Sequence, residues 1–447
     1  MTGPAKNIVI VGGGFAGSTV ARELRARLPE DYMLILISEE SYLTFNPMLP
    51  EVVGASIFPE QVVAPLRQIL NLRGASRFIM GHVTAVDRAA KTITCSSLAG
   101  ETVVSYCELV LAFGNRPRLD FIPGMADHAL PLKSIGDAME IRNVVLRRLA
   151  QIELEQDPER RRLLGHFVVI GGGFSGVEVA GELADYLKSI QRYYPRVNMD
   201  EVRLTVIQDI GRLLPELPVR LGRAALRSLE RRGVAILLGK RAAEVHADGI
   251  RCADGDMLSA ATVICTIGTR SNALVEVLGL AADRGRIVTQ ADLSVEGANG
   301  IWAAGDCALV VNQLDGKAAP PTAQFAVREA RLLARNLLRR LAGRATEPFS
   351  YRSRGMMAAI GHMNGVADVF GIPISGLPAW LMWRAYYLSQ MPTFGRKLRI
   401  YVEWTWGMFF PTDITHFRFT RSGEAVGRSN EELGHRQRAA GDASGGG

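Results

Sequence analysis

A glycine-rich loop of the kind that cradles phosphate occurs twice in this chain. The first copy, Gly12-Gly13-Gly14-Phe15-Ala16-Gly17, follows the apolar run Ile8–Val11, and the second, Gly171-Gly172-Gly173-Phe174-Ser175-Gly176, follows Phe167–Ile170. A segment with helical apolar spacing follows each copy. In a strand–GxGxxG–helix unit the glycines allow a tight turn, close approach of a pyrophosphate and close helix–strand packing. Two copies predict an α/β fold with two Rossmann-like domains and two bound dinucleotides.

The two loops are expected to bind different dinucleotides. A chain with two dinucleotide sites can hold a flavin in one and exchange a nicotinamide in the other. We therefore predict FAD as a resident cofactor and NADH as its partner, with NADPH also possible. The alternative, that one copy binds nothing, is disfavoured because both copies keep all three motif glycines.

The strand after each loop is expected to end at the adenosine ribose. An acid there accepts bonds from the ribose hydroxyls. Glu39, just beyond the strand Met33–Ile37, is the candidate in the first unit, and Gln208 takes the position in the second. A glutamine bonds a hydroxyl without repelling a 2′-phosphate, and Arg212 is close enough in sequence to attract one. NADH is favoured, and NADPH stays open.

Other candidate cofactor contacts lie where strands and helices begin or end. Gly114 and Gly268 each end a buried apolar strand, and Gly305-Asp306 ends another. Asp306 is expected on the ribityl or pyrophosphate side of FAD. Pro320-Pro321-Thr322 is expected to start an arginine-rich helix that runs to about Leu341, because proline suits the first helical turn, and Ala323 is a further candidate contact. The positive dipole end of this helix is expected to point at the flavin pyrimidine edge.

These elements predict a nicotinamide domain inserted into a flavin domain. The predicted order is residues 1–130 for the first part of the FAD-binding domain, 160–291 for the NAD(P)H-binding domain, 292–345 for the second part of the FAD-binding domain, 346–430 for a C-terminal membrane-association or dimerisation region, and 431–447 for a disordered tail.

Composition is that of an ordinary globular protein, with 48% apolar and 22% charged residues. The net charge of +7 favours an anionic membrane surface over a neutral one. The arginine groups carry no nucleic-acid-binding signature, so nucleic acid is not an expected partner. A strand that begins by Asn7 leaves no room for a signal peptide, and no apolar run is long enough to span a bilayer. A cytoplasmic location is therefore expected.

The cysteines give no sign of a metal or redox site. They form no CxxC pair, and with the seven histidines they show no metal-ligand spacing. We expect no metal and five buried, reduced thiols: Cys95, Cys107, Cys252, Cys265 and Cys307.

The C-terminal stretch differs in character from the rest. Leu377–Leu388 and Leu398–Phe410 hold four of the five tryptophans, and Arg396-Lys397 lies between them. Aromatic residues flanked by cations suit a helix lying in the headgroup region of a membrane. An ordinary dimer interface or core helix fits the composition equally well.

Over about residues 1–420 the chain resembles the two-dinucleotide-binding flavoproteins, which are pyridine nucleotide-disulfide oxidoreductase-like. Within that superfamily it resembles the type II (alternative, non-proton-pumping) NADH:quinone oxidoreductases. Tyr42–Pro50 is similar to their segment after the FAD ribose strand, and Ala323–Arg328 is similar to their AQxAxQ quinone-site motif. The tryptophan-rich C-terminus looks like their membrane-anchoring domain. Arg328 departs from the motif because it replaces the second glutamine.

The resemblance implies hydride transfer from NADH to FAD and electron transfer to a membrane quinone, without proton pumping. It implies a peripheral protein on the inner face of the cell membrane, and a homodimer is expected. It assigns Glu178 to the nicotinamide–quinone region, where it would relay or orient protons, and Gln324 to the quinone carbonyl. The plain structural alternative for Glu178 is a carboxylate that stabilises a helix N-terminus.

Two other functions stay open: a soluble reductase serving a small iron protein or another acceptor, and an NAD(P)H-sensing flavoprotein. Missing cysteines argue against two relatives of the fold. Ser41–Pro50 lacks the CxxxxC pair of disulfide reductases, and no cysteine between Cys107 and Cys252 or after Cys307 serves a sulfide:quinone reductase.

Overall fold

The computed structural model describes residues 6–70, 76–410 and 412–417. The chain forms two compact units, Met1–Thr412 and Asp413–Gly447. In the described part of the second unit, Asp413 accepts hydrogen bonds from the backbone and hydroxyl of Thr415 at 2.8 and 2.7 Å. The predicted disordered tail, 431–447, lies outside the described residues.

Twelve α-helices lie in the described part of the first unit. In chain order they are α1 (Phe15–Arg25), α2 (Leu49–Val53), α3 (Leu66–Leu70), α4 (Met125–His128), α5 (Ile135–Leu154), α6 (Pro158–Leu164), α7 (Phe174–Ile190), α8 (Val219–Glu230), α9 (Leu274–Val277), α10 (Ala323–Leu341), α11 (Leu377–Gln390) and α12 (Phe394–Trp406).

The first large sheet has seven strands: in spatial order Ile301–Ala303, Glu108–Leu111, Lys6–Val11, Tyr32–Ser38, Ser76–Asp87, Thr92–Ser97 and Gly100–Ser105. Its central strands are near-continuous apolar runs, buried on both faces, as expected of a parallel sheet covered by helices. Ile301–Ala303 pairs in parallel with Glu108–Leu111. The chain therefore returns to complete this sheet after building the second one.

The second large sheet has five parallel strands: in spatial order Ala129–Pro131, Thr262–Cys265, His166–Ile170, Arg203–Gln208 and Val234–Leu238. These two sheets are the α/β architecture that the glycine loops predict. The edge strand Ala129–Pro131 joins this sheet although it precedes residue 160, the predicted start of the second domain.

Smaller sheets connect and extend these two. They comprise Ala242–His246 with Gly249–Cys252 and Met257–Ser259; Asn115–Pro117 with Thr269–Ser271; Ala282–Asp283 with Arg286–Val288 and Ala308–Leu309; Val311–Asn312 with Lys317–Ala318; Tyr42–Thr44 with Val63–Pro65; and Gly355–Ala359 with Gly365–Val369 and Ile372–Ser375.

The last of these small sheets packs against α11, and α12 packs against α11. Trp380 and Trp383 of α11 and Trp404 of α12 turn inward and are at most 5% exposed. The C-terminal helices are therefore fixed to the body of the protein by their tryptophans. None of the described helices combines the length and apolar character needed to cross a bilayer.

Candidate active site

The first glycine loop joins the strand Lys6–Val11 to α1. Gly12 has φ of +108°, a conformation that favours glycine. A Cβ on Gly17 would meet the carbonyl oxygen of Gly12, whereas one on Gly14 would meet nothing within 4 Å. No side chain caps the start of α1, so its first N–H groups face this open space without a side-chain acceptor. The loop therefore fits a pyrophosphate.

Glu39 lies one residue beyond the strand Tyr32–Ser38, as predicted for a ribose acceptor. Arg116 and His82 both bond its carboxylate, His82 at 2.8 Å. Burial by itself raises the pKa of Glu39, but these two hydrogen bonds outweigh it and the net pKa is lowered. The group is thus a firmly ionised acceptor with lone pairs left for ribose hydroxyls. Gly114 has φ of +67° and open space around its α-carbon.

Gly305 and Asp306 lie beside the first glycine loop. A Cβ on Gly305 would lie 3.0 Å from the Cβ of Ala16. The Gly305 N–H donates to Glu329 Oε2 at 2.7 Å, and burial raises the pKa of Glu329 to about 7. Burial also raises the pKa of Asp306, an effect that the nearby Lys133 opposes. This places a lysine, which the sequence did not indicate, near the predicted flavin contacts.

Helix α10 ends at Leu341 as predicted but begins three residues later than predicted, because Thr322 is its N-cap and Pro320-Pro321 precede the first turn. It runs from Ala323, and the Thr322 hydroxyl accepts a long bond of 3.5 Å from the Phe325 N–H. The two residues before Thr322 are Pro320 and Pro321, which have no backbone N–H to donate. The start of the helix shares a cleft with Gly305 and Asp306. The positive end of its dipole therefore faces the predicted flavin site.

The second glycine loop repeats the first between His166–Ile170 and α7. Gly171 has φ of +109°, and a Cβ on Gly176 would meet the Gly171 carbonyl oxygen. A Cβ on Gly173 would meet nothing within 4 Å, and no side chain caps α7. Phe174 and Ser175 form the first turn of that helix. The second loop fits a pyrophosphate on the same grounds.

Gln208 is buried beneath this second loop. Its Oε1 accepts the Gly172 N–H at 2.8 Å. Because the amide oxygen has this partner, the amide NH₂ is the group left for a ribose hydroxyl or a 2′-phosphate. Arg212, expected to attract such a phosphate, donates to the Pro215 carbonyl instead. Gly268, with φ of +80°, lies against the backbone of Arg118.

Glu178 occupies a closed pocket one turn into α7. It is 8% exposed, and its Oε1 accepts the Ala359 N–H and the Trp383 Nε1–H, both at 3.1 Å. Burial raises the pKa of this carboxyl to about 8. Its partners come from outside the helix, so the carboxyl links α7 to the C-terminal sheet and α11.

Two further buried carboxyl groups, Glu51 and Glu182, lie near Glu178. The Ser56 hydroxyl donates to Glu182 Oε2 at 2.7 Å, and the Trp404 indole donates to Glu51 Oε2 at 3.1 Å. Burial raises the pKa of both groups. Carboxyl groups from α2 and α7 thus form one acidic cluster, Glu51, Glu178 and Glu182, and the C-terminal helices supply indole donors to it.

Arg384 faces this acidic cluster. Arg384 Nη2 lies 3.9 Å from Glu51 Oε1. The guanidinium carbon lies 3.8 Å from the centre of the Trp380 ring and 4.6 Å from that of Trp404. Burial lowers the pKa of Arg384, and the nearby Glu51 and Glu182 oppose that change. The cation is held by aromatic faces and offsets part of the acidic charge.

Aromatic side chains connect the first glycine loop to the Glu178 pocket. The rings of Phe15 and Phe45 lie 5.4 Å apart, those of Phe45 and Tyr387 5.7 Å, and those of Tyr387 and Trp383 4.7 Å. Trp383 donates directly to Glu178. The structure therefore joins the predicted flavin cradle and the predicted proton carrier in one packed network.

Gln324 lies elsewhere, in the first turns of α10. Its Nε2 donates to the Tyr351 hydroxyl at 3.0 Å, and its Oε1 accepts from the Ser353 hydroxyl at 3.4 Å. The Arg328 guanidinium lies 5.3 Å from the centre of the Tyr351 ring. Within the described residues, no hydrogen bond joins Gln324 to Glu178.

All five cysteines are free thiols, and only Cys107 is not fully buried. Burial is as predicted for four of the five thiols, whereas Cys107 is only partly buried. Cys307, which follows Asp306, is held against the carbonyl groups of Leu111 and Ala304, and burial raises its pKa to about 12. In the described parts of the chain, no group of three or more His, Cys, Asp or Glu side chains is arranged to hold a metal ion.

Four residues of the site were not predicted from the sequence: Glu51, Glu182, Arg384 and Lys133. Only Glu182 had a usable signal, because it lies four residues after Glu178 and so shares its helix face. The other three acquire their surroundings from distant segments.

Comparison with known proteins identifies the family. Residues 6–330 match the pyridine nucleotide-disulphide oxidoreductase family. The type II NADH:quinone oxidoreductase of Staphylococcus aureus is 30% identical over 381 residues, covering 84% of this chain and 93% of that protein. The type II NADH:quinone oxidoreductase Ndh of Mycobacterium tuberculosis is 29% identical over 418 residues, covering 89% and 87%.

A solved structure of NDH2 from Plasmodium falciparum in complex with NADH shares the fold, with a TM-score of 0.85 at 19% identity. It covers 92% of this chain and 100% of that one. The chain belongs to the pyridine nucleotide-disulphide oxidoreductase family and, within it, to the type II NADH:quinone oxidoreductases.

Proposed function

We propose that this protein oxidises NADH and passes the electrons through FAD to a quinone, without pumping protons. The observation that carries the proposal is the pair of complete glycine cradles, one of which is packed through aromatic rings onto a buried carboxyl group. Names of the relatives favour a quinone over an iron protein as the acceptor. The free, buried cysteines fit electron transfer without a thiol relay.

FAD supplies the relay of two electrons between a hydride donor and a quinone. In the first domain, the loop from Gly12 to Gly17 would bind its pyrophosphate and Glu39 its ribose hydroxyls. Gly305, Asp306 and the start of α10 would line its other end. These assignments rest on the open cradle, the ionised acceptor and the uncapped helix start described above.

The loop from Gly171 to Gly176 would bind the pyrophosphate of NADH. The Gln208 amide NH₂ would donate to the ribose. This donor repels no 2′-phosphate, so NADPH stays a possible second substrate. The chain's own contribution to hydride transfer is to hold the nicotinamide dinucleotide in position.

Glu178 is the residue we propose to hold and release a proton for the quinone. A carboxyl group with a pKa of about 8 exchanges its proton near neutral pH, where it is most useful as an acid or base. Bonds from Ala359 and Trp383 fix its orientation. Quinol formation consumes two protons, and Glu182, one turn further along α7, offers a second store. Gln324 would donate to a quinone carbonyl.

The exposed face of α12 supports association with a membrane. Ile400 and Trp404 face the core, while the opposite face presents large apolar groups to solvent, with exposed fractions of 80% for Phe394 and 59% for Trp406. Arg396 and other cations of the same helix flank this face. Such a helix suits the headgroup region of the inner face of the cell membrane. We also expect a homodimer, as the resemblance implies.

The test compares anaerobic NADH oxidation by the FAD-loaded protein with and without a soluble menaquinone analogue. We expect turnover that depends on the quinone and that Glu178→Gln slows at the quinone step. Quinone-independent turnover, or none with NADH, would contradict the proposal.

A further inference from the structure

A groove lined by arginines runs along the outer face of α10, next to Gln324, whose Nε2 donates to the hydroxyl of Tyr351 in the groove lining. Arg328, Arg331 and Arg335 follow one another at three- and four-residue spacing, which places them on one helix face. Together with the segment Glu347–Tyr351 they enclose a volume of about 390 Å³. The groove is therefore a concave surface with three arginine side chains along one wall.

The guanidinium groups in this groove meet little opposing charge. Glu347, the carboxylate in the lining, forms an ion pair with Arg339 at 2.8 Å. Arg331 Nε lies 3.9 Å from Glu23 Oε1, which is a long ion pair. Within the described residues, no carboxylate oxygen lies within 4.0 Å of Arg328 or Arg335. Burial and the neighbouring arginines lower the pKa of Arg331. Such clustering of like charge is unfavourable unless an anion joins it.

The chemistry of the lining selects phosphate. Guanidinium forks match phosphate oxygens in geometry and form strong charge-assisted bonds with them. The Tyr351 ring lies under Arg328, and Ser350 adds a hydroxyl to the lining. The volume lies at the small end of the usual range for ligand sites, about 300–1,000 Å³. It suits a phosphate group with a small substituent, such as a glycerol.

We propose that this arginine groove binds a phosphate-bearing anion, supplied either by the headgroup of an anionic phospholipid or by a free phosphate. The groove adjoins the residue proposed for the quinone carbonyl, but its test does not depend on electron transfer.

The first test labels the FAD-loaded, full-length protein with phenylglyoxal and follows each arginine by mass spectrometry. The probes are phosphatidylglycerol vesicles, phosphatidylcholine vesicles and inorganic phosphate, all at equal ionic strength. We expect labelling at Arg331 and Arg335 to slow by about fivefold or more with a bound anion. Labelling at Arg220 and Arg223, exposed on α8, should not change.

The probes separate the two sources. Protection by phosphatidylglycerol vesicles alone assigns the groove to a lipid headgroup, and saturable protection by millimolar phosphate without vesicles assigns it to a free phosphate. Protection by neither probe, or equal protection at the α8 arginines, would overturn the proposal.

The second test uses matched double variants. Arg331→Gln with Arg335→Gln should weaken binding of the protecting probe by about thirtyfold, since each arginine near an anionic surface contributes about 1 kcal/mol. Arg220→Gln with Arg223→Gln removes the same charge and should weaken it far less. Quinone-dependent NADH oxidation with a soluble quinone should stay unchanged in both. Equal loss of binding in the two variants would show that only net charge matters, and so refute a built site.

Discussion

Replacing Glu178 with glutamine tests the burial of this carboxyl group directly. When protonated, the carboxyl closely matches a glutamine amide in shape, and the Gln Oε1 can accept the same two bonds from Ala359 and Trp383. The substitution therefore removes the ionisable group with little change in packing. Any pH-dependent difference between the two proteins then reports the ionisation of Glu178.

The sign and size of that difference follow from the pKa. The pKa of Glu178 rises from an ordinary 4.5 to about 8 in the folded protein because of burial. Below pH 4.5 the group is protonated in both the folded and unfolded states. Between pH 4.5 and 8 the unfolded chain loses this proton while the folded protein keeps it, so the free energy of unfolding falls as pH rises. Above pH 8 the group is ionised in both states, and the free energy of unfolding falls no further on its account. From pH 6 to pH 8 the wild type should lose about 2 kcal/mol relative to Glu178→Gln.

Differential scanning calorimetry of the FAD-loaded proteins at pH 6, 7 and 8 measures this effect. For a unit of about 400 residues, about 2 kcal/mol corresponds to about 2–3 °C in Tm. We expect the wild-type Tm to fall by that amount relative to the variant as pH rises. Glu101→Gln, at an exposed surface position, is the control and should show no such trend. A difference that stays flat or changes in the opposite direction would refute the buried carboxyl.

Three further substitutions test other parts of the site. Gly176→Ala places a Cβ against a backbone carbonyl, so NADH-dependent flavin reduction should slow by about tenfold or more in stopped-flow measurements. Gly395→Ala, on α12, meets nothing within 4 Å and should not slow it. Gln208→Glu keeps an acceptor for the loop but adds a charge that repels a 2′-phosphate, so kcat/KM for NADPH should fall about tenfold relative to NADH; an unchanged ratio would place the ribose elsewhere. Phe394→Ser removes an 80% exposed ring from α12 and should weaken sedimentation with phosphatidylglycerol vesicles by about tenfold, while Leu98→Ser, at an 84% exposed position in a hairpin, should not.

The parts of the fold that sequence predicts well are those set by neighbouring residues. Examples are the two glycine loops with their flanking strands and helices, which depend on local backbone preferences. Such preferences are written in a few consecutive residues, so a single sequence suffices to read them.

The acidic cluster illustrates what a single sequence does not show. Trp404 donates to Glu51 across 353 positions of chain, and Trp383 donates to Glu178 across 205. Nothing near Glu51 in sequence distinguishes it from a surface carboxylate, because its burial depends on helices at the other end of the protein. Gln208 is a second example. The sequence predicts only a contact with the ribose, whereas its amide oxygen also accepts the Gly172 N–H of the glycine loop.

The arrangement of domains also depends on distant pairing. Ala129–Pro131 pairs with Thr262–Cys265, a strand that lies far along the chain. Three-residue strands carry too little periodicity to assign a partner.

The most direct test of the central claim is anaerobic double-mixing stopped flow on the FAD-loaded protein. NADH is mixed first, and the flavin absorbance is followed; a soluble menaquinone analogue is mixed second. We predict rapid bleaching by NADH and rapid recovery only when the quinone is added. Bleaching that no quinone reverses would contradict the account, because it would leave two nucleotide sites without the acceptor that the acidic cluster and Gln324 are proposed to serve.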